Sequence, residues 1–594
     1  MTGRSRPLAS ALALAALLGC AWAAGCGGGQ TQGAAFDDGQ LDVGPAMADL
    51  QRRLANAPIP RGFDVAVGVF GERSLVGVPL AGGEPWTFEH PITCRPVIAG
   101  SVVVGAGQNE LFGLEAKTGK LLWTRKVGGC LRGAADNGEI TVVSVRPITG
   151  FGGIVLAIDR DGQIVRQIED DSKIGAPAVV DGFLFLPWSG KFVSAYDLAA
   201  GEEVARLRFS GRVTRAFTVG GALYFGETTA TRFDEHIGLA PAGGAWTLAL
   251  PARRLPGGPA WMESGIDALP AGALPSDRVH LYARPASGAA PAVWGGRYAA
   301  THGRVVMGLD AKDGALVWAH AHGAGFLGGA AYEGGFALCD AEGVITFLDA
   351  QTGATAGRAS LGKPVDACLV QADGFSATKS EPRPLRDQIA DVIRLQYEEA
   401  APVQRFLLGE LVTSADERAT ETLIDLYASG AAPEDVQVDV RSALAARRSG
   451  ASFMLAALAR RPDFLEGEAR STPVGPLADA LAAAHVEGAA PLLAGHLVDP
   501  ATPAADVERA AAALVVLARP ADLPLLRQFF AMYRSEAADS LVVTAVAHVA
   551  RALTRLGAAD VVATALSDPY TSEAIRAKLA TIGTAAAAAG SPAR

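Results

Sequence analysis

The chain has 594 residues, of which 49% are hydrophobic and 19% charged, and a net charge of −10 at neutral pH. That length exceeds one core and predicts several domains or one or two repeat arrays. The apolar share excludes a disordered chain, and the acid excess, with no run of Lys and Arg, excludes a nonspecific nucleic-acid binder.

A leader comes first. Arg4 and Arg6 give a positive start, residues 8–18 form an apolar stretch of signal-peptide length, and Leu17-Leu18-Gly19-Cys20 matches a lipobox. Cys20 is the expected lipid attachment site. Cys26, in Ala23-Ala24-Gly25-Cys26, is the alternative, and an ordinary cleaved secretory peptide is the plainer reading. No later stretch reaches about 18 uncharged apolar residues, so no membrane-spanning helix is expected. The predicted mature protein is anchored to the membrane by lipid alone and faces water outside the cytoplasm. Residues 1–19 are thus assigned to the signal peptide and 20–60 to a flexible tether carrying a short helical patch at 47–54.

Over 61–378 one phrase recurs: an acidic residue, a tight turn closed by Gly, then a strand ending in Trp. Its clearest copies run Glu115 to Gly119 to Trp123 and Asp310 to Gly314 to Trp318. Weaker copies centre on Asp159, Asp197 and Asp349, and an early one ends at Trp86. The acidic markers stand 44, 38, 113 and 39 residues apart. The long step leaves room for two degenerate units, which makes eight units of about 39 residues. Four short strands fill that length, the size of a propeller blade. The stretch 367–374 supplies an inner strand with no phrase after it, whereas 63–86 supplies a phrase with little before it. The array is therefore expected to close by strand exchange between its two ends.

The phrase resembles the blade motif of the PQQ-like (quinoprotein dehydrogenase-like) β-propeller repeat, across roughly residues 62–376. With the lipobox, the chain looks like the propeller lipoproteins that include a component of the outer-membrane β-barrel assembly machine. In that family the Gly closes the turn and the Trp docks between blades, roles the resemblance gives to Gly119, Trp123, Gly314 and Trp318. Many true quinoprotein dehydrogenases carry adjacent cysteines beside the cofactor, and this chain has no such pair.

Other motifs are better read as structural. Gly323-Ala-Gly325-Phe-Leu-Gly328 lacks a surrounding βαβ unit, and Ser376-Ala-Thr-Lys379 with Lys117-Thr-Gly119 stands in the wrong order for a serine enzyme. His320 with His322, and Asp234-Glu235-His236, would need partners from other blades to hold a metal. Cys94 and Cys368 each lie six residues before an inner-strand Gly turn, and Cys130 falls on the same face. The oxidising compartment leaves Cys94–Cys130, Cys94–Cys368, Cys339–Cys368 and free thiols open.

From 379 to 594 the apolar spacing turns helical, beginning with Leu385, Ile389, Val392 and Ile393. Ser414 to Glu417 reads as a capping box, and Thr502-Pro503 as a cap before a first-turn proline. Markers at Pro491, Pro524 and Asp560 recur at helix-pair spacing, as in a HEAT-type solenoid. The fold class expected is an all-β eight-bladed propeller followed by an all-α HEAT-like solenoid. The function expected is a non-catalytic envelope scaffold without cofactor or metal, at the periplasmic face of the outer membrane, binding other envelope proteins and no nucleic acid. A quinone- or metal-dependent oxidoreductase using the funnel, and a ligand or glycan sensor, are the alternatives.

Overall fold

The computed structural model describes residues 29–31, 49–50, 52–53, 62–148, 152–219, 222–226, 229–233, 245–247, 261–263, 280–282, 296–310, 313–332, 334–372, 383–460 and 472–589. The chain divides into two compact units that meet in sequence between Pro382 and Arg383.

In the first unit the described residues form seven sheets. Each antiparallel hairpin chain runs outward from an inner strand. In the second sheet the order is Cys94–Ala99, Val102–Gly107, Glu110–Glu115, Leu121–Arg125. The third, fourth and seventh sheets repeat this plan from inner strands Cys130–Asp136, Ala178–Val180 and Phe326–Tyr332, and the fifth from Arg215–Val219. Burial explains the composition of each strand. Val102–Gly107, Phe183–Trp188 and Gly335–Asp340 are buried along their whole length, because neighbouring sheets cover both faces, so these strands show no alternation. Outer strands such as Thr355–Ser360 alternate between buried and exposed, since only one face is covered there.

The first sheet is built from both ends of the array. Ala367–Gln371 pairs antiparallel with Val65–Phe70, Gln371 opposite Val65 and Cys368 opposite Gly68, and Ser74–Pro79 and Trp86–Glu89 complete the sheet. The expected strand exchange is therefore present. Inner strands also touch in sequence, from Ala367–Gln371 through the second, third and fourth sheets to the fifth, and from the seventh back to Ala367–Gln371.

Of the two units expected between Asp197 and Asp310, the described residues show one complete sheet. They form one sheet, Arg215–Val219 to Ala245–Thr247, and two short strands, Trp261–Glu263 and His280–Tyr282, which join the sheet of Asp310. These two run parallel to each other, unlike a blade hairpin. The stretch assigned to a flexible tether is docked at two places. Gly29–Thr31 adds a parallel fifth strand to Ile164–Asp170, and Leu50 is buried in the core of the fourth and fifth sheets. Beside it, Arg53 lies 4.4 Å from the Phe183 ring centroid. Burial of Leu50 contributes about 2 kcal/mol toward holding this turn in place.

The second unit contains twelve helices among the described residues, from Leu385–Ile393 to Glu573–Ala589. They form two rows. Ala401–Thr413, Glu434–Ala446, Val474–Ala483, Ala504–Leu517, Ser540–Arg555 and Glu573–Ala589 pack side by side in that order. Leu385–Ile393, Arg418–Ser429, Ala451–Ala459, Ala490–Leu497 and Leu523–Tyr533 make the second row. Pro491 and Pro524 sit in the first turns of their helices, each after a 3-10 turn. The two expected caps do not form. Arg418–Ser429 starts after Glu417 with no side-chain cap, because Ser414 instead accepts the Asp416 N–H and Asp416 the Arg418 N–H. Pro503 is itself the residue before Ala504–Leu517, which leaves Thr502 one residue too far out.

Candidate functional site

The repeated phrase forms the junctions between sheets. Its acidic residue ends the third strand, and the Gly N–H returns to that residue's carbonyl: Gly119 to Glu115 and Gly314 to Asp310, both 2.8 Å. The glycines have φ of +70° and +72°, a region that a side chain would strain. At Asp197 and Asp349 the carboxylate also accepts backbone N–H groups of the turn, from Ala199 and Ala200 and from Gln351 and Thr352, whereas that of Asp310 pairs with Arg297 at 2.6 Å. These acids are consumed by turn geometry.

The Trp of one unit covers the turn of the next. The Trp86 indole N–H donates to Ala116 O at 3.0 Å, and its ring lies over Gly119. Trp318 donates to Ala350 O at 3.0 Å. Trp123 lies against Gly162 in the same manner, and its buried indole nitrogen has no hydrogen-bond partner in the structure. A second glycine, missed in the sequence, makes room for each ring. Gly77, Gly113 and Gly308 lie beneath Trp86, Trp123 and Trp318, and a Cβ there would come within 2.0–2.3 Å of the indole. The signal was a Gly two positions before the acid or its equivalent.

Units without Trp solve the junction differently. Arg166 faces Ala157 across the third sheet, donates to Ala199 O at 2.6 Å and covers Gly201. An arginine thus replaces both the indole plate and its donor. In the seventh sheet the pair is reversed, with Phe347 opposite Gly357.

Two disulfides staple neighbouring sheets. Cys94–Cys130 joins the inner strands of the second and third sheets, with a Cα separation of 5.6 Å. Cys339–Cys368 joins the second strand of the seventh sheet to the inner strand of the first, with a Cα separation of 6.3 Å. Cys94–Cys368 is not formed.

The remaining sequence motifs fall into ordinary structure or outside the described residues. Gly323 to Gly328 leads into an inner strand, where Gly328 lies so close to Cys368 O that a Cβ would stand 2.1 Å away. Lys117-Thr-Gly119 is the blade turn. His320 lies in the strand Leu316–Ala321, and His322 packs 4.8 Å from the Phe326 ring. Cys20, Cys26, Asp234 to His236 and Ser376 to Lys379 lie outside the described residues. Among the described residues no three His, Cys, Asp or Glu side chains stand close enough to hold a metal, and no helix is long and apolar enough to cross a membrane.

An open cleft lined by Gly71, Glu72, Arg73, Glu89, His90 and Pro91 lies at the first sheet. The His90 ring stacks on Phe88 at 5.6 Å and reaches Glu110 at 3.1 Å, which fixes it between two sheets.

Comparison with known proteins agrees with the repeat. The family model described as outer membrane protein assembly factor BamB matches residues 75–211, a span that covers the repeat from the first sheet through the fourth. Among solved structures the chain is similar to BamB from Moraxella catarrhalis, 18% identical over 51% of this chain and 84% of that one, with a TM-score of 0.28. The computationally designed Ika8 protein is 13% identical over 53% and 91%, with a TM-score of 0.30. Hsv2 of Kluyvelomyces marxianus is 10% identical over 42% and 73%, with a TM-score of 0.26. No curated protein matches.

Proposed function

We propose that this chain is a non-catalytic scaffold of the cell envelope, a propeller-like PQQ-repeat body joined to a HEAT-like helical solenoid, both binding other proteins. The observation that carries this reading is the match of residues 75–211 to the assembly-factor family. The acids of the repeat support it, since they are spent on turns and the Trp residues on sheet junctions, which leaves that machinery to architecture.

The setting proposed is outer-membrane protein assembly, with the chain anchored through Cys20, or Cys26, at the periplasmic face. The propeller-like array is proposed to close as a ring of eight blades. Photo-crosslinking in cells from exposed positions on each unit, such as Ile148 and Tyr570, is the direct test. Crosslinks to subunits of an outer-membrane assembly complex are expected; their absence from both units, with no other envelope protein captured, would overturn the scaffold reading. Labelled palmitate should enter the chain and be lost in Cys20→Ala, or in Cys26→Ala if the second lipobox is used.

A further inference from the structure

The strand that completes the first sheet is held differently on its two sides. On one side Ala367–Gln371 pairs with Val65–Phe70, in register from Ala367 opposite Val69 to Gln371 opposite Val65. On the other side it meets the seventh sheet through a covalent bond, Cys339–Cys368. Backbone is close there as well, since a Cβ on Gly328 would stand 2.1 Å from Cys368 O. The second unit begins at Arg383, shortly after this strand. A pull on the helical unit therefore reaches Ala367–Gln371 before any other strand of the array.

The two disulfides have unlike surroundings. Cys94 and Cys130 are the first residues of their inner strands, and Cys130 is only half-buried. Cys339 and Cys368 are both 0% exposed. They lie in one apolar core with Ala66 and Val76 of the first sheet and Phe347 of the seventh. Opposite Cys368, the backbone of Gly68 is covered so closely that a Cβ would stand 2.5 Å from the Val365 side chain and 2.8 Å from that of Leu361.

Burial decides which bond a reductant can reach. Thiol–disulfide exchange needs a thiolate to approach a sulfur directly. At Cys130 part of the residue already faces solvent, and no strand has to move. At Cys339–Cys368 the sulfurs are uncovered only when the closing strand leaves its neighbours, a local opening with its own free energy.

We propose that Cys339–Cys368 is a redox latch on the closing strand. While the bond stands, a strand that parts from Val65–Phe70 stays tied to the seventh sheet and reseats at high effective concentration. Once the bond is broken, noncovalent contacts alone hold the strand, and the first sheet opens more often. The chemistry is a two-electron exchange with a dithiol, either a small molecule or the active site of a protein thiol–disulfide oxidoreductase. One thiolate of the dithiol attacks a latch sulfur, and the S–S bond breaks to give a mixed disulfide and one protonated cysteine. The second thiol resolves the mixed disulfide, so both cysteines end as thiols and the dithiol as its own disulfide. Because the closed array shields the latch, reduction acts on an array already opening and keeps it open. The inference does not rest on the scaffold reading and survives its failure.

Reduction of the purified full chain by dithiothreitol under native conditions, quenched by alkylation and read by peptide mass spectrometry, tests it. Cys94 and Cys130 should become alkylated at least about tenfold faster than Cys339 and Cys368. Leu369→Pro, which weakens the closing strand, should bring the slow pair to within about threefold of the fast one. Hydrogen exchange gives a second reading. Removing the latch, with Cys339→Ala and Cys368→Ala together, should speed exchange in residues 65–79 about tenfold. Cys94→Ala with Cys130→Ala should leave exchange in 65–79 near that of the wild type. Equal reduction rates for the two pairs in the wild type would overturn the proposal. So would an unchanged rate for Cys339–Cys368 in Leu369→Pro, or equal exchange in 65–79 with and without the latch. Should a variant fail to fold, the wild-type reduction rates decide the matter alone.

Discussion

Arg447 shows how one residue can hold a repeat together. It is buried, yet its guanidinium donates to Leu411 O, Val412 O, Ser414 O, Asp416 O and Thr420 Oγ1 at 2.5–3.1 Å. Four of these are carbonyls at and just past the end of Ala401–Thr413, where the helix has no internal donors left and its dipole favours a cation, and the fifth is a hydroxyl of Arg418–Ser429. Arg447→Met should therefore destabilise the helical unit by about 3 kcal/mol, since several buried acceptors lose their donor together. Arg447→Lys should recover little of this, because one ammonium cannot span the set. Urea unfolding followed by far-ultraviolet circular dichroism checks both. Two partly buried acids of the helical unit set a pH dependence. Backbone N–H groups of Ala538, Asp539 and Ala537 hold Glu536 below the usual carboxylate range, and the N–H of Tyr570 with Arg534 does the same for Asp568. A depressed pKa in the fold adds stability at pH values above the ordinary value, and this is lost as the pH falls through the folded one. The melting temperature should therefore drop below about pH 4, and Glu536→Gln with Asp568→Asn should shallow that drop.

At the scale of the element, the sheet junction is a set of three parts: a Trp, a Gly across the strand beneath it, and the Gly turn of the next unit. Gly308→Ala would place a methyl carbon 2.0 Å from the Trp318 ring. It should cost about 1–3 kcal/mol, the range for forcing a methyl into a packed site, and shift Trp fluorescence as the indole leaves its place against Ala350. Val317→Thr, on the strand of Trp318, should do less. The Cys94–Cys130 bond closes a loop spanning 36 residues. In the chain-entropy account it contributes about 4 kcal/mol, so Cys130→Ser should lower the melting temperature under oxidising conditions, by less than reduction of the wild type, which also breaks Cys339–Cys368.

For the whole molecule the decisive contact is between the ends of the array. Because Ala367–Gln371 supplies the inner strand of the first sheet, disrupting it should not fray a terminus but open the first sheet to its neighbours. Leu369→Pro removes a ladder hydrogen bond facing Val67. It should expose Trp86 and Val65–Phe70 to exchange, with hydrogen exchange rising in residues 65–89 although the substitution lies some 300 residues away in sequence.

Much of this was legible from residues alone, because it is local. An acid, a Gly at positive φ and a Trp at fixed spacing follow from turn geometry and strand length, and they recur wherever the chain repeats. The helical register of the second unit is local as well. The missed glycines, Gly77, Gly113 and Gly308, answer to the ring across the strand, which only pairing reveals. The cap at Ser414 failed because its side chain accepts a nearer backbone N–H, and that at Thr502 because Pro503 holds the position before the helix. Amino-acid order determined that there are repeated sheets and then helices, and which end strand lacks a partner. Tertiary structure alone decided which cysteines pair and that Arg166 can take an indole's place. These depend on the distance between strands of different sheets, and packing sets that distance.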